Sequence, residues 1–487
     1  MFKIRTSSYW LTRLCYQRAL AFVYLTVFLG TAWQFRSLIG KHGLLPAQLF
    51  LERVPFRSNP SLFYLNSSDP FIATVTWLGV ALSFLALSGV SERFGVYFSA
   101  AVWALLWFFY LSIVNIGQTF YSFGWEIMTL EAGFLAIFLG SRDTKPPALI
   151  FWFLRWLLFR LMFGAGLIKI RGDACWRDLT CMFYHYETQP IPNPLSWYFH
   201  HMPQGFLKFQ TLYTHFIELV IPWFYFVSGP LGWVAGILTL VFQGCLILSG
   251  NLSWLNYLTI VVGIACFDDV FLAKIIRIPV PATAPIKKVR KGLLAVLGAL
   301  IIVLSINPTK NLFSPRQRMN TSFEPLHLVN SYGAFGSVTK DRTEIIFEGT
   351  GDLEIGASTE WREYEFKAKP GDVHRLPALV SPYHRRLDWL LWFAAMSDWR
   401  NYPWTLNLVN KLLRNDEEML KQIEKNPFPD KPPRYIRAVL YSYRFTTANE
   451  KKETGDWWVR APLRLYLPPI SLENELFMKI LREQRWE

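Results

Sequence analysis

Apolar residues along this chain gather in long runs. Nine stretches are apolar and poor in charge: 19–35, 71–90, 95–114, 124–140, 147–167, 211–228, 230–249, 256–273 and 292–306. Runs of about 17–25 such residues cross a bilayer as helices, because a water-free interior forces each backbone group to bond within its own segment. The fourth and last are short, and only Gly229-Pro230 divides the sixth from the seventh, so the pattern admits eight to ten spans. The fold class expected is a multi-pass α-helical membrane bundle, residues 1–308, followed by a soluble α+β domain, residues 309–487.

The change at about residue 309 is one of period. TEIIFEGTGDLEI, WREYEFKAKPG, RYIRAVLYSYRF and WWVRAPLRLYL carry β-branched and aromatic residues with partial alternation, bounded by Gly and Pro, and predict strands. Between them DWLLWFAAMSDW, WTLNLVNKLL and NDEEMLKQIEKN predict helices, the last opened by Asn415 as cap with Glu418 three residues on.

Composition agrees: 52% hydrophobic and 17% aromatic residues against 18% charged in 487. The net charge of +14 is informative through its placement. Lys3, Arg5, Arg13 and Arg18 precede the first run without an acid, and Arg93, Arg142, Lys145, Lys274, Arg277, Lys287, Lys288, Arg290 and Lys291 fall in the even loops. Cations are retained on the cytoplasmic side, so the N-terminus reads as cytoplasmic. Loop 168–210 and the C-terminal domain then lie in a lumen or periplasm. The same cations favour anionic membrane lipid. They lie in short inter-span loops rather than on one soluble face, so no nucleic-acid partner is expected. The first run is long and lacks a small-residue cleavage site, which predicts a retained span.

Candidate chemistry concentrates where the fifth run empties into LMFGAGLIKIRGDACWRDLTCMFYHYETQPIPNP, 161–194. Cys175 and Cys181 share this outside loop, where an oxidising compartment favours a structural disulfide. A catalytic dithiol would want C-x-x-C spacing, and zinc shared with His185 matches no common ligand spacing. Arg171, Asp173, Trp176, Arg177 and Asp178 of this loop are candidates for a client-facing surface. So are Trp457 and Trp458, together with Tyr383 and the Trp389/Trp392 helix.

Polar residues inside the runs are costly unless paired. Glu126 and Glu131 lie in the fourth, Arg155 and Arg160 in the fifth, and His215 with Glu218, sharing one helix face, in the sixth. The expectation is that the arginines neutralise glutamates on neighbouring helices; a buried acid–base site would use the same set. Hydrolase, zinc-protease, P-loop and dinucleotide motifs are absent from the sequence, and no metal or cofactor is expected. Sequons at Asn66, Asn251 and Asn320 fall outside by this topology.

GAGLIKIRGDACWRDLTCM and FYHYETQPIPNP resemble the central signature of the lipase maturation factor family. RALAFVYLTVFL, LIGKHGLLP, SFGWEIMTLEAGFL and SGNLSWLNYLTI resemble its other membrane blocks. LVNSYGAFGSVTK, YEFKAKPGD, SPYHRRLDWLLWFAA and NPFPDKPPRYIRA resemble its soluble domain. The resemblance runs from about residue 8 to 469. Many members carry Cys where this chain has Ala368 and Ala378, which fits loss of one disulfide. The resemblance implies a maturation factor or chaperone that helps secreted lipase-type proteins fold and assemble. It would sit in the endoplasmic reticulum membrane of a eukaryote, or the cytoplasmic membrane of a bacterium. The membrane half is similar, more distantly, to the bundle of the vitamin-K-dependent carboxylases. The alternative is therefore a membrane enzyme with quinol-linked, carboxylase-like or thiol redox chemistry.

Overall fold

The computed structural model describes residues 8–487; Lys3 and Arg5, counted above in the N-terminal charge, lie outside the described residues. Among the described residues six helices are long and apolar enough to cross a membrane. They are α1 (Trp10–Leu38), α2 (Asp69–Leu87), α3 (Gly95–Ile116), α5 (Ala148–Arg171), α7 (Pro230–Ser249) and α9 (Lys288–Phe313). The fourth, sixth and eighth runs form shorter helices, α4 (Gly124–Ala136), α6 (Gln204–His215) and α8 (Leu255–Cys266). α9 continues past the boundary expected at 308.

The segments pack into one bundle, α1 against α2, α3 against α4 and α7 against α8. At the end where α1 begins, Asp269 caps it, its carboxylate accepting from Trp10 N at 2.9 Å and Leu11 N at 2.7 Å. An acid there meets the free N–H groups and the positive end of the helix dipole. Arg13 donates to the Thr144 carbonyl at 2.8 Å, Arg18 pairs with Glu92 at 2.6 Å, and Arg290 donates to the Phe138 carbonyl at 2.9 Å. At the other end the helices meet the C-terminal domain.

The short segments are shaped by their surroundings. α4 is buried at every residue but Phe134, and a segment enclosed by protein need not keep a full helix across the membrane. Tyr16 and Tyr24 of α1 donate to the Ala132 and Thr129 carbonyls of α4 at 2.9 and 3.2 Å. The Tyr24 hydroxyl takes the place a Cβ at Gly133 would need, so only glycine admits this approach. α6 gives way to a π-helical turn, Phe216–Val220, and a 3-10 turn, Ile221–Phe226. Pro222 lacks an N–H and crowds the carbonyl four residues before it, which ends the regular helix.

Beyond α9 the chain builds a four-stranded antiparallel sheet of β1 (Arg342–Thr350), β2 (Arg362–Glu363), β3 (Tyr435–Phe445) and β4 (Trp458–Ile470), in the order β2-β1-β3-β4. β1 is central and almost wholly buried, with Ile345 opposite Leu440 and Phe347 opposite Ala438. β4 is an edge whose residues Ala461 to Leu465 are all exposed. α10 (Arg386–Ala395) packs on β1, and α11 (Trp404–Leu413) is buried throughout. One expected helix is corrected: NDEEMLKQIEKN yields only Glu417–Leu420, capped by Asp416 rather than Asn415. Asn415 takes a left-handed conformation, φ +50°, and Ile423–Lys425 pairs as a strand with Glu365–Phe366.

Candidate functional site

The loop after α5 folds into a small plug clamped between bundle and soluble domain. Cys175 and Cys181 form a disulfide with Cα atoms 4.7 Å apart. Inside it the Thr180 and Cys181 N–H groups both donate to the Cys175 carbonyl, at 2.8 and 3.2 Å. Trp176, Met182, Tyr186 and Leu207 pack with the disulfide as a separate apolar cluster. Trp176 donates from Nε1 to the Phe335 carbonyl at 2.8 Å, and Asp173 Oδ2 accepts from Val338 N at 2.7 Å. Arg177 covers the carbonyls of Ile170 and Gly172 at 2.9 and 3.0 Å, a cation at the C-terminal end of α5. Arg171 donates to the Leu312 carbonyl and Gln317 Oε1 at 2.8 and 2.7 Å.

The second half of the loop is tied to the sheet. Arg342, fully buried and paired with Glu344 at 2.5 Å, donates to the carbonyls of Glu187, Gln189 and Pro190. Trp392 Nε1 reaches the Thr188 carbonyl at 3.0 Å, and Trp197 Nε1 the Thr446 carbonyl at 2.9 Å. Burial pushes His185 down to about 4, with the Lys169 cation adding to the effect.

The polar residues of the runs resolve into defined partnerships. Arg160 pairs with Glu131, whose carboxylate also accepts from Tyr332 Oη at 2.8 Å and from Asn330 N and Nδ2, both at 3.1 Å. Glu126 pairs with Arg386 of α10 at 2.5 Å and takes the Tyr110 hydroxyl. Arg386 also donates to the Phe120 carbonyl at 2.7 Å and lies 3.6 Å from the Tyr121 ring centre. Glu218, in the π-helical turn, pairs with Lys169 at 2.7 Å, and Lys169 lies 5.3 Å over the Trp176 ring. His215 does not join Glu218; its Nε2 meets the Trp176 carbonyl at 2.9 Å. Arg155 finds no glutamate and donates to the Ala265 carbonyl at 2.8 Å.

Three of the residues expected on a client-facing surface are interior. Trp176 is 1% and Trp458 2% exposed; Trp458 stacks on Phe445 at 4.2 Å between ring centres. Trp389 is buried too, while Trp392, Tyr383 and Trp457 are half-buried. Arg171, Arg177 and Asp178 are exposed. Sequence reasoning did not find Lys169 or Arg386. Lys169 reads as a snorkelling cation at a helix end, and Arg386 as a solvent cation of the soluble domain. The one available signal was arithmetic: Glu126 and Glu218 needed cations that the runs themselves did not supply. Among the described residues no three His, Cys, Asp or Glu side chains converge as a metal site.

Where plug, bundle and domain meet there is a cavity of about 510 Å³. Trp125, Leu161, Ile168, His185, Trp389 and Phe393 line its wall, and Arg171 and Arg316 its exposed rim.

The family described as lipase maturation factor transmembrane domain matches residues 11–274, and the one described as lipase maturation factor C-terminal domain matches residues 328–468. The chain belongs to the lipase maturation factor family. Lipase maturation factor 1 of Bos taurus is 44% identical over 97% of this chain and 91% of its own length; that of Homo sapiens is 42% identical over 99% and 91%. Lipase maturation factor 2 of Gallus gallus is 29% identical over 93% and 80%. No solved structure matches significantly. The plug lies within the first matched region and bonds to the second through Phe335, Val338, Arg342 and Trp392.

Proposed function

We propose that this protein assists maturation of secreted lipase-type client proteins, holding folding or assembling chains at the membrane surface. The observation that carries the reading is similarity to lipase maturation factor 1 along nearly the whole chain. The geometry adds a means. A folding lipase exposes apolar surface and unpaired strand edges, and β4 offers an exposed strand edge with Leu463 and Leu465 turned to solvent. Edge strands pair with extended segments of other chains. Pro462 and Arg464 within that stretch limit how long such pairing extends, which suits a client that must be released.

The cations at the Asp269-capped end of the bundle support a cytoplasmic N-terminus and a lumenal or periplasmic soluble domain. In a eukaryote the membrane is that of the endoplasmic reticulum; in a bacterium, the cytoplasmic membrane.

The test is co-expression with a dimeric secreted lipase in cells lacking a maturation factor of their own, read as secreted activity per unit of lipase made. The wild-type chain raises this ratio, and Leu463→Asp with Leu465→Asp lowers it at unchanged protein level. No rise with correctly inserted wild type refutes the proposal; a rise that the double substitution leaves intact refutes the β4 surface.

A further inference from the structure

The 510 Å³ cavity lies within the range of small-molecule sites, and its lining is selective. Trp125, Trp389, Phe335 and Phe393 make an aromatic wall continued by Leu161, Ile168 and Leu255. The charged residues of the lining are Arg171 and Arg316, with no carboxylate among them. Arg316 is exposed and makes no side-chain hydrogen bond or ion pair among the described residues. The cavity therefore offers positive charge at the rim of an apolar interior, which matches an acyl chain ending in an anionic head and opposes an amine.

The rim also lies close in sequence to a membrane helix. α9 exposes Ile302, Val303 and Ile306, then Asn307 and Lys310, then Phe313, and Pro315 and Arg316 of the rim follow within three residues. Guanidinium binds carboxylate through parallel charge-assisted hydrogen bonds, and an arginine at a membrane boundary holds an anionic head while apolar atoms stay buried.

We infer that this cavity binds a long-chain fatty acid, its acyl chain against the Trp125, Trp389 and Phe393 wall and its carboxylate on Arg316 and Arg171. The inference is independent of the lipase reading, since it rests on the cavity alone.

The test uses the full chain in phosphatidylcholine nanodiscs with a nitroxide-labelled stearate, read by the immobilised fraction of its spectrum. The expected result is a saturable immobilised component that oleate displaces and oleylamine does not. Arg316→Gln should weaken it about tenfold, the loss of one charge-assisted hydrogen bond. Ala334→Trp, which fills the lining at a small residue, should remove it; should that variant not fold, the arginine variant and the head-group series still decide. No saturable component, equal displacement by oleylamine, or binding indifferent to Arg316→Gln overturns the inference. So does displacement by phosphatidylglycerol but not by oleate, which would assign the site to a bilayer phospholipid.

Discussion

Arg386→Met is the substitution that examines the joint between the soluble domain and the bundle most directly. The Arg386 side chain is 1% exposed and Glu126 is not exposed at all, so the change strands a carboxylate in protein. It also removes the bond to the Phe120 carbonyl and the contact with the Tyr121 ring. Deleting one member of a buried ion pair costs about 3–5 kcal/mol, mostly as the penalty of the charge left behind, whereas replacing both members is close to neutral. At about 1.4 kcal/mol per tenfold, the single variant loses a factor of roughly a hundred to a few thousand in docking. Amide hydrogen exchange across 386–395 in the solubilised protein reads it: protection collapses in Arg386→Met and returns when Glu126→Gln is added. Equal protection in wild type and single variant, or further loss in the double variant, would refute the stranded-charge argument.

The disulfide closes a separation of six residues, for which chain entropy yields about 2 kcal/mol; Cys175→Ser with Cys181→Ser should speed tryptic cleavage at the exposed Arg177 by at least tenfold. A Cβ at Gly164 would lie 2.6 Å from the Tyr332 carbonyl oxygen, so Gly164→Val should lower the thermal midpoint through about 1–3 kcal/mol of overpacking, while Gly205→Ala, with nothing within 4 Å, should leave it unchanged. His185 is held down at about 4 by burial, and His384 well below its usual value by burial and the Arg386 charge. These folded values lie beneath the unfolded one near 6.5, so the unfolded chain binds more protons, and the stability the histidines contribute is full above about pH 6.5 and lost as pH falls toward 4. Burial raises Asp388 and Glu187, which act in the opposite sense; the measurement is therefore the difference between wild type and His185→Gln, whose midpoint should fall less from pH 6.5 to 4.

Length and apolarity made the six long helices legible in the sequence, because lipid leaves few alternatives to a continuous apolar run. What they could not carry was the shape of the enclosed segments. Tyrosines from α1 reach the carbonyls of the enclosed α4, and the turn holding Glu218 faces Lys169 of another helix, partners that no local pattern displays. The pairing of Arg160 with Glu131 followed from the cost of charge in lipid. That same rule paired Arg155 wrongly, since a backbone carbonyl at Ala265 serves a guanidinium as well as a glutamate does. Trp458 next to Trp457 reads as an exposed aromatic pair, and only strand pairing with Phe445 separates the buried ring from the half-buried one.

The Glu126–Arg386 pair also sets a timetable. Its members are 260 residues apart, so at about 5–20 residues per second of synthesis the carboxylate of α4 exists for roughly ten to fifty seconds before its counter-charge has been made. Glu131 waits likewise for Asn330 and Tyr332, and the first turn of α1 waits for Asp269. During translation the helices are thus an unfinished set, kept loose by charges without partners. They close late, when the C-terminal domain of the newborn chain returns to them.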